Sequence, residues 1–365
     1  MTSILIAGCG YVGQRLAAEL FNLETAVGSR KAVEYSGHKL HFLHPWRSST
    51  QALGTPGKSE KPLITNKVTT SFSDLPCTPI AYASFSRLTA VSRFNHGDAE
   101  SIHGLVASDK SRRLLEGWLS SVSRIDLDTE NPPDIEALPA AEQIYYFIPP
   151  PSQGIEDTRL PRFLQGLGNN FPQRVVMIST SGVYGNCHGE WVDESRPVSP
   201  QADRAKRRYD AEQQMTAWGR QYGVDVMILR VAGIYGPGRL PVARLEKGLP
   251  MVDESEAPWT NRIHVDDLVT VCKAVMANGG GGEVYNVSDG NPGNMTDYFN
   301  QVADIAGLPR PPVIKLDEAD GRLSAGLMSY LGESRRIDNR KMLAVPGVDL
   351  RYPTLAEGLP ASVGV

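Results

Sequence analysis

The sequence predicts an α/β fold, a doubly wound parallel sheet followed by a smaller C-terminal domain. Three observations carry that expectation. Strand-like and helix-like segments alternate along most of the chain, as they do when helices cover a parallel sheet. The first strand-like run leads directly into a glycine-rich turn that opens a helix. After Gly236 the alternation gives way to an irregular, proline-rich stretch.

Ser3 to Ala7 is a short buried-strand run, Gln14 to Phe21 reads as a helix, and Glu24 to Val27 as a second strand. Later strands are expected at Gln143 to Ile148, Arg174 to Ser179 and Val224 to Arg230. Helices are expected between them, at Thr158 to Leu167 and Arg204 to Tyr222. The pattern returns to strand at Glu283 to Val287 and to helix at Met295 to Ala306. From about 37 to 123 the rhythm is lost amid frequent Ser, Thr, Gly and Pro. That length far exceeds an ordinary crossover, so an insertion is expected there, with a helix at Asp109 to Ser121. The expected domains are 1–235, carrying the insertion, and 236–365, with 261–290 returning to the sheet.

At 365 residues, 41% hydrophobic and 21% charged, the composition is that of an ordinary globular protein. A formal net charge of −4 gives no electrostatic reason to expect nucleic acid or an anionic membrane as partner. The apolar runs are of strand length, too short to span a bilayer. The start, Met1 to Gly8, has neither a basic leader nor a small-residue cleavage site. Cys9, Cys77, Cys187 and Cys272 are scattered, without the spacing of a disulfide framework or a metal site. Together these features lead to an expected cytoplasmic location.

Gly8-Cys9-Gly10-Tyr11-Val12-Gly13 is a G-x-G-x-x-G with a strand before it and an amphipathic helix after it. In that context it reads as the turn of a Rossmann-type sheet. Gly8 permits the tight turn, Gly10 lets backbone approach a pyrophosphate, and Gly13 lets the helix pack on the strand. The phosphates would sit on the free N–H groups at the helix start, those of Tyr11 and Val12 among them. An NAD site usually places Asp or Glu about twenty residues on, for the ribose 2′-hydroxyl. Gly28-Ser29-Arg30 stands there instead. A hydroxyl and a guanidinium suit a 2′-phosphate, so NADP is the expected cofactor, with NAD as the alternative.

Several further stretches carry a resemblance: Ser179-Thr180-Ser181-Gly182-Val183-Tyr184-Gly185, Leu229 through Gly238, Asn261-Arg262-Ile263-His264-Val265-Asp266-Asp267, and Tyr285-Asn286-Val287-Ser288. With the glycine turn they resemble the short-chain dehydrogenase/reductase superfamily, in its extended, sugar-nucleotide epimerase/dehydratase-like branch. The resemblance covers residues 1–35 and roughly 124–350. It implies Thr180 at the catalytic Ser/Thr position. Asp126-Leu127-Asp128, ending the expected third strand, would place Asp126 near the adenine amino group, with Leu127 and Pro149 also beside the cofactor. The resemblance also implies Tyr184, Arg239 and Arg262 near the substrate. The chain departs from the pattern at one place that matters. The family's Tyr-x-x-x-Lys helix is represented by Arg204 at the Tyr position and Arg208 at the Lys position. Tyr35 to Lys39 spells Tyr-x-x-x-Lys but lies too early in the chain, beside the second strand, and Tyr209 is rotated about 100° off the helix face.

Arg208 can still donate to a nicotinamide ribose, but without the tyrosine the family's acid/base is missing. Thr180 alone is too weak a base to replace it. Ser181 and Gly182 stand where the family's dehydratases carry an acidic pair, which disfavours dehydration. His188, Asp193 and Glu194 are candidate replacements on a loop, while His264, in an apolar run, reads as a core histidine. Two classes therefore stand: an NADP-dependent epimerase or reductase of a sugar nucleotide with a non-standard site, and a non-catalytic NADP-binding sensor. Substrate identity and homodimer formation stay open.

Overall fold

The computed structural model describes residues 2–20, 99–129 and 138–363. Seven strands form one sheet. They are β1 (Thr2–Ala7), β2 (Ala99–Val106), β3 (Ser121–Arg124), β4 (Gln143–Tyr146), β5 (Arg174–Thr180), β6 (Asp225–Val231) and β7 (Val284–Val287). The order across the sheet is β7-β6-β5-β4-β1-β2-β3, every pair is parallel, and the direction of winding reverses between β1 and β4. This is a doubly wound, Rossmann-like α/β sheet. Ligands of such sheets bind at the carboxyl ends of the strands flanking that reversal.

Alternation within the strands explains why both faces are covered. Ile4 and Ile6 of β1 face one apolar cluster, shared with Leu16 and Ala17 of α1 (Tyr11–Leu20) and with Val271 and Val275 of α5 (Val265–Asn278). Leu5 and Ala7 face the other, shared with Leu160 and Phe163 of α3 (Arg159–Gly166) and with Ala211 and Met215 of α4 (Asp203–Tyr222). A strand buried on both sides must be apolar at successive positions, as β1 is. The C-terminal part of the chain has its own cluster, in which Tyr235, Leu245 and Met251 pack against Met295, Phe299 and Val302 of α6 (Met295–Ala306). Residues 284–287 return to the main sheet as β7, against β6.

The second strand of the sheet is not where the sequence places it. Ala99–Val106 pairs with β1 along its length, Ile4 opposite Ile102 and Ala7 opposite Leu105. β3 then pairs with β2, and α2 (Asp109–Leu115) joins the two. The last part of the expected 37–123 insertion therefore belongs to the sheet, because Ile102, Leu105 and Val106 are needed to bury β1. Glu24 to Val27, Ser29, Arg30, Cys77 and Tyr35 to Lys39 lie outside the described residues. By contacts the chain divides into Met1–Glu24 with Ile80–Val365, and Thr25–Pro79. Among the described residues no helix is long and apolar enough to cross a membrane.

The placement of β2 has a direct consequence for stability. Leu105 is 1% exposed, and Leu105→Ala should cost about 2–5 kcal/mol in urea denaturation. A residue in a surface excursion would cost within about 0.5 kcal/mol, which would remove β2 from the core.

Candidate functional site

The glycine turn sits at the carboxyl end of β1, beside the ends of β2 and β4. The Leu105 carbonyl accepts from the Gly8 and Cys9 amides at 3.2 and 3.0 Å. A Cβ on Gly8, whose φ is +93°, would stand 2.7 Å from the Ile148 nitrogen, and one on Gly13 would stand 2.7 Å from the Gly8 carbonyl oxygen. These two glycines are required by packing. Gly10 is different: a Cβ there would meet nothing within 4 Å. Its open face lies where α1 begins, and the first amides of a helix have no partners within it. The residues present thus fit a dinucleotide: closed at Gly8 and Gly13, open at Gly10, with unsatisfied N–H groups and the helix dipole facing the opening.

Arg208 is directed to the same end of the sheet, its Nη1 donating to the Ile148 carbonyl at 3.3 Å. Burial lowers its pKa, with Tyr146, Asp157 and Glu212 opposing that shift. Two polar atoms in its surroundings, the Tyr146 hydroxyl and Asp157 Oδ2, have no hydrogen-bond partner among the described residues. Asp157 Oδ1 accepts from the Arg159 and Leu160 amides at the start of α3. Burial nevertheless raises the Asp157 pKa. Thr180 ends β5, and its hydroxyl oxygen accepts from the Gly182 amide at 3.1 Å, capping the short helix Ser181–Tyr184.

Arg204, at the position of the family's tyrosine, is held by the C-terminal half. It donates to Ser329 Oγ and to Glu333 at 3.0 Å, and its guanidinium lies 4.0 Å from the centre of the Tyr330 ring, on α7 (Ala325–Leu331) and just beyond it. Glu333 is buried and also binds Arg335 at 3.0 Å. A cation engaged in this way cannot exchange protons as a phenol does.

Other candidates are placed with equal clarity. Tyr184 is 1% exposed; it donates to Asn286 Oδ1 at 2.8 Å and accepts from Arg230 at 3.0 Å. Both bonds tie its hydroxyl to buried partners, Asn286 and Arg230. Asp193 caps its own turn through Ser195, and Glu194 accepts from the Asn286 amide, so neither is poised as an acid/base. His188 adopts a positive φ on the same loop. His264 caps α5, accepting from the Asp266 amide at 3.2 Å, and burial pushes its pKa down to about 4. Arg262 donates to the Asn261 carbonyl and stacks 4.3 Å from the Tyr298 ring centre. Asp126 caps the turn after β3, Leu127 is buried, and the Pro149 carbonyl accepts from Arg159, which also grips Asp128.

Sequence reasoning missed the buried ion pair Arg230–Glu212 at 2.8 Å, to which Ser179 also donates, and it missed Asp289. A charged residue ending an apolar strand was the available signal for Arg230. Asp289 follows β7, one oxygen without a partner, and burial pushes it up to about 7 from 3.8. Among the described residues no group of His, Cys, Asp and Glu is disposed to hold a metal ion.

Comparison with known proteins agrees with this fold. Residues 162–288 match the NAD dependent epimerase/dehydratase family. A dTDP-glucose 4,6-dehydratase of Streptomyces niveus is 32% identical over 147 residues, 37% of this chain and 42% of that enzyme. One of Streptomyces griseus is 28% identical over 52% of this chain and 57% of its own length. The chain thus spans about half the length of these curated relatives. Among solved structures, a functionally unknown conserved protein from Silicibacter pomeroyi superposes with TM-score 0.66 at 23% identity, over 99% of this chain and 98% of that one. The dTDP-glucose 4,6-dehydratase of Bacillus anthracis, solved with NAD, gives 0.63 at 16% identity, over 100% and 96%. At these identities the likeness is one of fold.

The buried groups lead to two expected outcomes. Tyr184→Phe should cost about 1–3 kcal/mol in urea denaturation, since Asn286 and Arg230 lose a partner. Unchanged stability would mean that the hydroxyl is not committed to these two partners. Asp289 is protonated in the folded state to a higher pH than in the unfolded chain. Its contribution is therefore complete below about pH 4 and lost as pH rises towards 7. Denaturation across that window should show a decline, shared with the buried Asp157 and Asp267, that Asp289→Asn makes shallower; an unaltered decline would mean the Asp289 carboxyl is ionised and hydrated in the fold.

Proposed function

We propose, for a chain that carries an NAD dependent epimerase/dehydratase domain over residues 162–288, that it binds NADP and acts on a sugar nucleotide with a non-standard acid/base. The observation that carries this reading is the glycine turn, closed at Gly8 and Gly13 and open at Gly10. NADP, when bound, supplies hydride exchange. Gly10, Tyr11 and Val12 offer backbone to the diphosphate, Arg208 donates to the nicotinamide ribose near Thr180, and Arg262 faces the substrate. The curated relatives named above are dTDP-glucose dehydratases, which supports a nucleotide-linked sugar as substrate class. Among the described residues Cys9, Cys187 and Cys272 are buried and free, which suits a reducing, cytoplasmic setting.

The preference for NADP rests on the residues just after β2, the strand beside β1. Ser108 caps α2 and bonds the Ser111 amide and hydroxyl. Asp109, the carboxylate that would take the ribose 2′-hydroxyl, is paired with Arg124 and Arg112 at 3.4 and 3.5 Å. Lys110 and Arg113 are exposed beside it. A hydroxyl pair and a surplus of cations favour a 2′-phosphate. Ser29 and Arg30, on which the sequence rested the same preference, lie outside the described residues.

Arg204 supports a second reading, that of a non-catalytic NADP-binding protein, because its ties to Glu333 and Ser329 fill the tyrosine's place. One experiment separates the two. NADP and NAD are titrated into the full chain, and the loaded protein is then offered dTDP-glucose and UDP-glucose while the reduced nicotinamide is followed. NADP should bind more tightly, and Lys110→Ala with Arg113→Ala should weaken it by about 1.5–3 kcal/mol per lost charged contact while sparing NAD. Reduction of the nicotinamide by either sugar nucleotide is the expected result. Tight binding with no reduction by either would select the second reading, and equal loss for both dinucleotides would end the case for NADP.

A further inference from the structure

The glycine turn is in contact with a segment far along the chain. The Tyr11 hydroxyl donates to the Pro237 carbonyl at 3.1 Å. Gly236 to Arg239 forms a tight turn, the Arg239 amide donating to the Gly236 carbonyl at 3.0 Å. Gly236 has φ +148°, and a Cβ there would stand 2.7 Å from the Tyr11 hydroxyl and 2.8 Å from Val265 Cγ1. Only glycine lets this turn press so closely on the first residue of α1. The turn then projects Arg239, whose guanidinium carbon lies 4.9 Å from the centre of the Tyr11 ring.

Two cations thus flank Tyr11, and their situations differ. Arg15 is taken up by Asp266 at 3.0 Å. Arg239 is exposed, and no carboxylate among the described residues pairs with it. A cation over an exposed aromatic face gains only about 0.5–1 kcal/mol, so its charge is largely unused. The ring that holds it belongs to a residue whose amide opens α1. A dinucleotide diphosphate carries two negative charges, whereas the helix start supplies only about half a positive one.

From this geometry we infer that Arg239 binds the diphosphate of the dinucleotide itself, from the side opposite the glycine turn. The C-terminal half of the chain thereby contributes directly to cofactor binding. This assigns Arg239 to the cofactor, whereas Arg262, stacked on Tyr298, stays with the substrate. The inference rests on the proposed dinucleotide site. Arg239 donates two parallel N–H bonds to phosphate oxygens, and it is unable to trade protons there.

The test uses the full chain, its Arg239→Gln and Arg239→Lys variants, and calorimetric titration with NADP, NAD, ADP-ribose and UDP-glucose, with circular dichroism to confirm folding. Arg239→Gln should weaken NADP, NAD and ADP-ribose alike, on the order of ten- to a hundredfold, and leave UDP-glucose unchanged. Arg239→Lys should recover part of the loss, since it keeps the charge but not the fork. The wild-type salt dependence should flatten in Arg239→Gln. Unchanged NADP and ADP-ribose affinity, or a loss confined to UDP-glucose, would overturn the assignment while leaving the dinucleotide site standing. A wild-type chain that binds no dinucleotide would overturn both.

Discussion

Gly8 lies so close to the end of β4 that a single added carbon would stand 2.7 Å from the Ile148 nitrogen and 2.8 Å from the Phe147 carbonyl carbon. That approach positions the start of α1 against the carboxyl ends of β1, β2 and β4 at once. Everything else at the site is referred to it. The Leu105 carbonyl ties β2 to the turn, Arg208 reaches the Ile148 carbonyl from α4, and Tyr11 meets the 236–239 turn. A larger residue at Gly8 would displace the helix start, and with it the amides that face Gly10's open side.

The charges divide according to whether they have partners. Arg230 and Glu212 form a buried pair linked to Tyr184, Ser179 and Asn286. Such pairs are weak evidence for stability in themselves, but removing one partner leaves an uncompensated charge, at a cost of about 3–5 kcal/mol. Arg204 is committed to Glu333, which makes the helix position of the family's tyrosine a structural tie between α4 and residues 329–333. Arg208, by contrast, has one long bond to a carbonyl. Its neighbours Tyr146 and Asp157 each keep an unpartnered oxygen. Of Arg204, Arg207 and Arg208, only Arg208 is left this lightly bonded, and it lies at the carboxyl ends of the strands.

Much of this was legible in the sequence, for reasons that particular residues make plain. The β1 run and the glycine turn are local signals, whereas Thr180 and Arg208 were assigned their places only by the resemblance of the surrounding motifs. β2 was hidden because His103 and Gly104 interrupt its apolar alternation, so Glu24 to Val27 took its place in the reading. Helix α5 was hidden for the opposite reason: nine of its residues are buried, and a helix apolar on nearly every side lacks the amphipathic period that reveals one. Tyr184 stood in a motif that implied substrate, yet its burial depends on Arg230 and Asn286, distant in the chain. The pairing of Arg204 with Glu333 joins residues more than a hundred positions apart, which no spacing rule reaches.

The central claim is that the open face at Gly10 and the Arg208 guanidinium serve one ligand. A crystal structure of the full chain grown with NADP tests it most directly. The diphosphate should lie on the amides of Tyr11 and Val12, with the Arg208 guanidinium within hydrogen-bonding distance of the nicotinamide ribose. A diphosphate seated elsewhere, or a nicotinamide ribose out of reach of Arg208, would contradict it.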